Sequence, residues 1–140
     1  KMIMAVSGAS VPKFTVNCNG AFGAGVYGMS GRAFDPRFLF TWPGAGTSVM
    51  GAEQAANVLS EVKIKQLERE GRTLSQAEID EIREPVLADY KREQSAYFAT
   101  SELWDDGVLD PVDTRRVIGF CLDLAASSPV KESHAPVFRM

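Results

Sequence analysis

Histidine is nearly absent from this chain and cysteine is scarce, with one His and two Cys in 140 residues. The single His134 sits in a polar tail and reads as a surface residue, which leaves no histidine-dependent triad to assemble. Cys18 and Cys121 stand far apart without metal-type spacing, so no metal site is expected; both read as buried thiols of a reducing compartment. Positive charge is not in excess either. Lys and Arg number 15 against 18 Asp and Glu, a net charge of −3, which gives no electrostatic reason to expect nucleic acid or an anionic membrane as partner. No apolar run approaches the roughly 20 residues that span a bilayer. The opening Lys1-Met-Ile-Met-Ala-Val6 is too short an apolar stretch for a secretory signal. Internal repeats and low-complexity tracts are missing, so residues 1–140 read as one domain or part of one. A hydrophobic content of 45% with 24% charged residues is that of a globular unit with its own core.

What the chain does have is glycine in one place. Gly20-Ala-Phe-Gly-Ala-Gly-Val-Tyr-Gly-Met-Ser-Gly31 follows a strand-like run, Phe14-Thr-Val-Asn-Cys18, whose β-branched and aromatic residues favour a pleated surface. Small residues at a strand-to-helix corner admit a close approach to the backbone, and the first helical turn leaves N–H groups unpaired. Such a corner holds an anion or a developing oxyanion without a charged side chain.

The remainder alternates strand and helix. Residues 1–8 read as the last turns of a helix lacking an N-cap, with Gly8 at a left-handed stop, so the chain is expected to be a piece of a longer polypeptide. Val11–Cys18 is a strand, and 23–32 a short helix stopped near Phe34-Asp35-Pro36. Phe38–Trp42 and Thr47–Met50 are extended. Gly51 opens a helix from Ala52 to about Glu70, with Ala52, Ala55 and Ala56 on one side, Glu53 at the positive dipole end and Gly71 at the stop. Ser75-Gln-Ala-Glu78 is a capping box, flanked by Leu74 and Ile79 as a staple. Pro85 is expected to end or kink that helix and to restart another through Tyr90 to about Tyr97. The dense mixed charge of 63–92 reads as a solvated helical surface. Trp104-Asp-Asp-Gly107 is a capped turn whose adjacent carboxylates point apart. Asp110-Pro-Val-Asp113 then caps a last helix, Val112 to about Ser127.

Gly23-Ala-Gly25-Val-Tyr-Gly28 matches the G-x-G-x-x-G dinucleotide fingerprint in letters. Its helix is short for a parallel crossover, and the next strand ends in Pro43-Gly44, not in a ribose-holding acid about 20 residues on. Ser30, in Gly28-Met-Ser-Gly-Arg32, lacks nucleophile-elbow spacing. The plain structural reading is that these glycines only allow helix and sheet to pack closely. The chemical reading is catalysis by backbone donors.

Gly23-Ala-Gly25, Tyr27-Gly-Met29, Pro36-Arg-Phe-Leu39, Trp42-Pro43, Ser48-Val-Met-Gly51, Glu53-Gln-Ala-Ala-Asn-Val-Leu59, Trp104-Asp-Asp-Gly107, Asp110-Pro111, Asp113-Thr-Arg115 and Phe138-Arg-Met140 together resemble one family. It is the carboxyltransferase (β) subunits of biotin-dependent acyl-CoA carboxylases, in their C-terminal part and nearest to methylcrotonoyl-CoA carboxylases. The resemblance covers essentially the whole chain. It implies an α/β, crotonase-like ββα spiral, with residues 1–140 as the biotin-side, C-terminal lobe. Each of two lobes contributes a backbone oxyanion hole, one for the acyl-CoA thioester oxygen and one for the ureido oxygen of biotin. By analogy the N–H groups of Ala24 and Gly25 form the biotin-side hole and stabilise the biotin enolate left when carboxybiotin gives up CO₂. Biotin itself then acts as the base, consistent with the missing His or carboxylate cluster.

The resemblance further implies biotin carried by a partner α subunit with biotin carboxylase and carrier functions, acyl-CoA as substrate, and homo-oligomerisation of β subunits. The setting would be bacterial cytoplasm or mitochondrial matrix. Gly23 shares the turn. Met50 and Gly51, at the next strand-to-helix corner, either line the same pocket or simply start a helix. Phe22 and Tyr27 either pack on the biotin ring or belong to the core. Where the family usually reads Trp-Pro-Asn-Ala-Arg, this chain has Trp42-Pro-Gly44-Ala-Gly46, which leaves the acyl group open between 3-methylcrotonoyl-CoA, geranyl-CoA and other branched enoyl-CoAs. Two other classes stay open. A crotonase-type hydratase or isomerase would need Glu53 as its carboxylate, and a non-catalytic oligomerisation domain would use the helical region 52–99.

Overall fold

The structure, a computed structural model, describes residues 1–129. His134 and Phe138-Arg-Met140 lie outside the described residues. Two ββα units follow one another. In the first, β1 (Phe14–Asn17) leads through Cys18-Asn19 to β2 (Gly20–Phe22) and the short α2 (Ala24–Gly28). In the second, β3 (Phe38–Thr41) leads to β4 (Gly46–Ser48) and the long α3 (Ala52–Arg69). Strand β1 pairs in parallel with β3, and β2 in parallel with β4, so the second unit stacks on the first in a spiral. Asn17 ties the stacks together by donating from Nδ2 to Thr47 Oγ1 at 3.0 Å. This is the expected α/β, crotonase-like spiral, repeated in structure although no repeat is visible in sequence.

Period-2 alternation decides what β3 buries. Leu39 and Thr41 face inward, while Phe38 and Phe40 share the other face and stack at 5.8 Å, with Phe14 stacked on Phe38 at 6.2 Å. Val108 continues the spiral as a parallel bridge to Thr41. Strand β2 differs from expectation, because Gly-Ala-Phe carries no strand signal; its pairing with β4 supplies the missing local preference.

Helix α1 (Met2–Gly8) ends differently from the sequence reading. Gly8 is its last helical residue, and Ala9 follows in extended conformation. Lys13 Nζ donates to the Val6 carbonyl at 2.9 Å, satisfying a helix-end acceptor without a left-handed glycine. Helix α2 stops four residues before the expected Arg32. Ser30 takes the left-handed position (φ 59°), and the N–H groups of Ser30 and Gly31 donate to Tyr27 and Val26 carbonyls at 3.2 and 2.8 Å, a Schellman motif. Gly31 is required there: a Cβ would lie 2.8 Å from the Val26 carbonyl oxygen.

Helix α3 ends as expected, with Gly71 at φ 81° and N–H bonds from Gly71 to Glu68 and from Arg72 to Leu67. Its buried side is made of Ala52, Ala55, Ala56 and Ser60. The capping box of α4 (Gln76–Glu93) forms with both reciprocal bonds. Pro85 neither ends nor restarts the helix. Val86, Leu87 and Tyr90 pack against Ala52 and Ala56, and this packing outweighs the bond Pro85 removes. A separate α5 (Ala96–Ser101) follows, and a 3₁₀ turn over Pro111–Asp113 leads into α6 (Thr114–Ala126), two residues later than expected. Trp42 Nε1 donates to Thr114 Oγ1 at 3.0 Å and anchors the start of α6.

Candidate functional site

Gly23 makes the corner. Its φ of 56° and ψ of −138° suit glycine, and a Cβ would come within 3.1 Å of the Val49 carbonyl. Its N–H donates to the Ser48 carbonyl at 3.2 Å, which sets this corner beside the next one, Val49-Met50-Gly51. Val26 N–H folds back to the Gly23 carbonyl at 3.2 Å. Between them, the N–H groups of Ala24 and Gly25 donate to no partner among the described residues. Both residues are exposed, and a Cβ on Gly25 would meet nothing within 4 Å. Packing therefore does not demand glycine at 25.

The second corner is different. Ala52 N–H is already taken by Gln94 Oε1 at 3.3 Å, so Gly51 opens a capped helix. Glu53 turns to the other side of α3, pairing with Arg83 and, at 3.5 Å, with Lys91. The carboxylate that a hydratase reading needs is thus engaged by two cations of α4.

Beneath the first corner lies a cavity of about 590 Å³. Gly25 and Phe22 line it; Gly23, Ala24, Tyr27, Met50 and Gly51 do not. Phe22 is 38% exposed and Tyr27 48%, the latter edge-on to Phe34 at 6.0 Å, so neither is the core aromatic that composition favours. Cys18 also lines the cavity and is exposed, not buried as expected, because its strand ends at Asn17. Cys121 is buried, and burial pushes its thiol pKa up.

The Asp-Asp turn contributes a group that sequence reasoning read only as a cap. Asp106 Oδ2 accepts Leu39 N–H at 2.8 Å, and Oδ1 pairs with Arg32 at 3.2 Å. Asp105 points elsewhere: Oδ1 accepts from Thr100 hydroxyl at 2.8 Å and Gly107 N–H at 3.1 Å. Asp105 is 5% exposed, lines the cavity, and its Oδ2 has no partner among the described residues. Nothing in the local sequence separates the two aspartates; only the distant pairing of Asp106 with β3 does.

A family model described as the carboxyl transferase domain matches residues 1–140. A probable mitochondrial methylcrotonoyl-CoA carboxylase β chain of Drosophila melanogaster is 45% identical over 140 residues, covering 100% of this chain and 24% of that protein. The biotin-dependent 3-methylcrotonyl-coenzyme A carboxylase β1 subunit of Mycobacterium tuberculosis is 48% identical over 140 residues, covering 100% of this chain and 26% of that protein. Among solved structures, the geranyl-CoA carboxylase β subunit of P. aeruginosa superposes with a TM-score of 0.77 at 37% identity, over 99% of this chain and 26% of that one. The transcarboxylase 12S core, described as a hexamer, gives 0.75 at 32%, over 99% and 24%. The chain spans about a quarter of the length of the curated relatives it matches.

Proposed function

Because the chain belongs to the carboxyl transferase domain family, we propose that it is the biotin-side, C-terminal lobe of the β subunit of a biotin-dependent acyl-CoA carboxylase. Its task is to move CO₂ from carboxybiotin to an acyl-CoA, with 3-methylcrotonoyl-CoA favoured by the 45% and 48% identities to methylcrotonoyl-CoA carboxylase β chains. The observation that carries this reading is the contrast between the two corners: among the described residues the N–H groups of Ala24 and Gly25 have no partner, whereas Ala52 N–H is occupied.

The corner fits a ureido oxygen. Two adjacent backbone donors and an open side at Gly25 can stabilise developing negative charge without a cationic side chain bonded to it. Biotin, when bound, supplies CO₂ as its N-carboxylate and afterwards the base that takes a proton from the acyl-CoA. The chain's own part is to hold the ureido oxygen at Ala24 and Gly25 and to keep Gly23 in the conformation that aims both groups. Phe22, on the cavity wall, is read as packing on the biotin ring; Met50 and Gly51 are read as the start of α3. The biotin-carrying α subunit and further β subunits are the proposed partners, in bacterial cytoplasm or mitochondrial matrix.

The test is incorporation of labelled bicarbonate into 3-methylcrotonoyl-CoA by the intact subunit containing this chain, with its biotinylated partner. The reading expects a biotin-dependent carboxylated product. Hydration of the enoyl-CoA with no carboxylation would place the chain with crotonase-type hydratases instead.

A further inference from the structure

Helix α2 carries two donors without partners among the described residues, yet little packing holds it. Gly28 is its one buried residue, and Ala24, Gly25 and Tyr27 are exposed. A helix of five residues has no cooperativity of its own to keep its direction. Its placement therefore rests on how the chain is tied before and after it. The entry is tied by the Gly23 N–H, which donates to the Ser48 carbonyl at 3.2 Å. The exit is tied twice, at Ser30 and at Arg32.

The Thr15 hydroxyl donates to the Ser30 carbonyl at 2.8 Å. Arg32 reaches instead to the turn that holds the two aspartates. Its Nη2 donates to Asp106 Oδ1 at 3.2 Å, its Nη1 to Oδ2 at 3.5 Å, and its Nε to the Trp104 carbonyl at 3.3 Å. Asp106 is itself stitched to β3. Its N–H donates to the Leu39 carbonyl and its Oδ2 accepts the Leu39 N–H, both at 2.8 Å. Leu39 is the parallel partner of Thr15, so both exit ties start from one rung of the β1–β3 sheet. Between them lies Gly31, whose N–H holds the Val26 carbonyl at 2.8 Å. Val26 N–H in turn closes on Gly23 around Ala24 and Gly25.

We propose that Arg32 and Asp106 form a positioning clamp for the corner, fixing where the N–H groups of Ala24 and Gly25 point. The inference rests on the carboxyltransferase reading above. Stability does not account for the pair. The side chains of Arg32 and Asp106 are 46% and 33% exposed, and ion pairs so open to water add little to the stability of a fold. What a planar guanidinium with all its nitrogens engaged supplies is geometry, which a lysine ammonium cannot copy. Backbone donors stabilise developing charge only at the right distance and angle, so a small rotation of α2 is enough to slow turnover. Arg32 and Asp106 then act through the corner and not on the reacting atoms.

The intact β subunit with its biotinylated partner tests the clamp through Arg32→Met, Arg32→Lys and Asp106→Asn. Asparagine still offers an oxygen to the Leu39 N–H but no charge to Arg32. Arg32→Met and Asp106→Asn are each expected to lower kcat for carboxyl transfer about 10- to 100-fold, with KM for the acyl-CoA within about twofold of wild type. Combining them is expected to lower kcat no further than the worse single change, because both remove one interaction. Arg32→Lys is expected to retain an intermediate kcat. A second readout needs no turnover. In Asp106→Asn, hydrogen exchange of the peptide spanning residues 24–32 is expected to quicken while the melting temperature falls by a few degrees at most. Wild-type kcat in Arg32→Met overturns the proposal, and so does a rise in KM alone, which would make Arg32 a ligand contact. If Arg32→Met does not fold, Arg32→Lys decides, and wild-type kcat there overturns the clamp because the fork is gone. If the wild-type enzyme transfers carboxyl groups and the variants match it, only the clamp falls. If the wild-type enzyme performs no carboxyl transfer, the reading beneath it falls, and unchanged exchange over 24–32 in Asp106→Asn overturns the clamp separately.

Discussion

At the scale of single residues, the glycines of the corner separate into two kinds. Gly23 and Gly31 are demanded by the backbone, one by its positive φ and one by its contact with Val26. Gly25 is not, since a Cβ there meets open space. Gly25→Ala is therefore expected to leave the melting temperature unchanged or slightly raised, because alanine is the better helix former by up to about 1 kcal/mol. The same change is expected to lower carboxyl transfer about 10-fold or more if Gly25 belongs to the proposed biotin-side hole, by adding a methyl on its open side. Thermal unfolding and turnover measured on one preparation check both halves, and a loss of stability without a loss of turnover would return Gly25 to a packing role. Sequence alone could not make this distinction: all these glycines share one motif, and φ and neighbouring atoms are decided by the turn of Ser30 and by Val49. The exposure of Cys18 and the burial of Asp105 were hidden for the same reason, since both depend on how distant segments pack.

At the scale of elements, local chemistry was readable where a cap carries it. The Ser75–Glu78 box and the Gly71 stop are present as the sequence predicts. Glu78 has its pKa lowered, first by the Ser75 N–H and then by the Ser75 hydroxyl. A carboxylate depressed in the fold contributes stability that is present above its ordinary value near 4.5 and is lost as pH falls through the lower folded value. The start of α4 is expected to loosen in that acid window, seen as reduced protection of the amides of residues 76–79, relative to their intrinsic exchange rates, as pH falls below 4.5, and Glu78→Gln is expected to flatten this dependence. An unchanged pH profile in the variant would assign the effect to other carboxylates. Non-glycine caps were not readable. Ser30 and Leu103 both occupy left-handed positions in Schellman ends, at φ 59° each. Leu103 is 81% exposed, so Leu103→Gly sacrifices little burial and is expected to stabilise by about 1 kcal/mol, measurable as a rise in melting temperature. A fall would show that the exposed leucine has a contact in the assembled protein. Pro85 illustrates the opposite error: a strong local breaker yields to the packing of Leu87 on Ala56.

At the scale of the molecule, the motifs gave the family, while the spiral itself was illegible from composition or period. The parallel pairing of β1 with β3 joins segments more than twenty residues apart, and no repeat in sequence marks the two units. The surface also bears on the proposed role. Val112, Phe120 and Leu122 are 90%, 62% and 53% exposed on and beside α6, a load of apolar side chains that soluble monomers seldom carry bare. The chain expressed alone is expected to self-associate with rising concentration in sedimentation, and a monodisperse monomer would contradict its being a lobe covered by other chain. The claim on which the functional account turns is narrower: the backbone N–H groups of Ala24 and Gly25 carry the chemistry. Turnover of labelled bicarbonate into acyl-CoA by the intact enzyme tests it, comparing Ala24→Pro with Ala24→Ser. Loss of one oxyanion donor elsewhere costs about 100- to 1,000-fold, so Ala24→Pro is predicted to fall by at least that much while Ala24→Ser retains most activity. Equal turnover in the two variants would contradict the account.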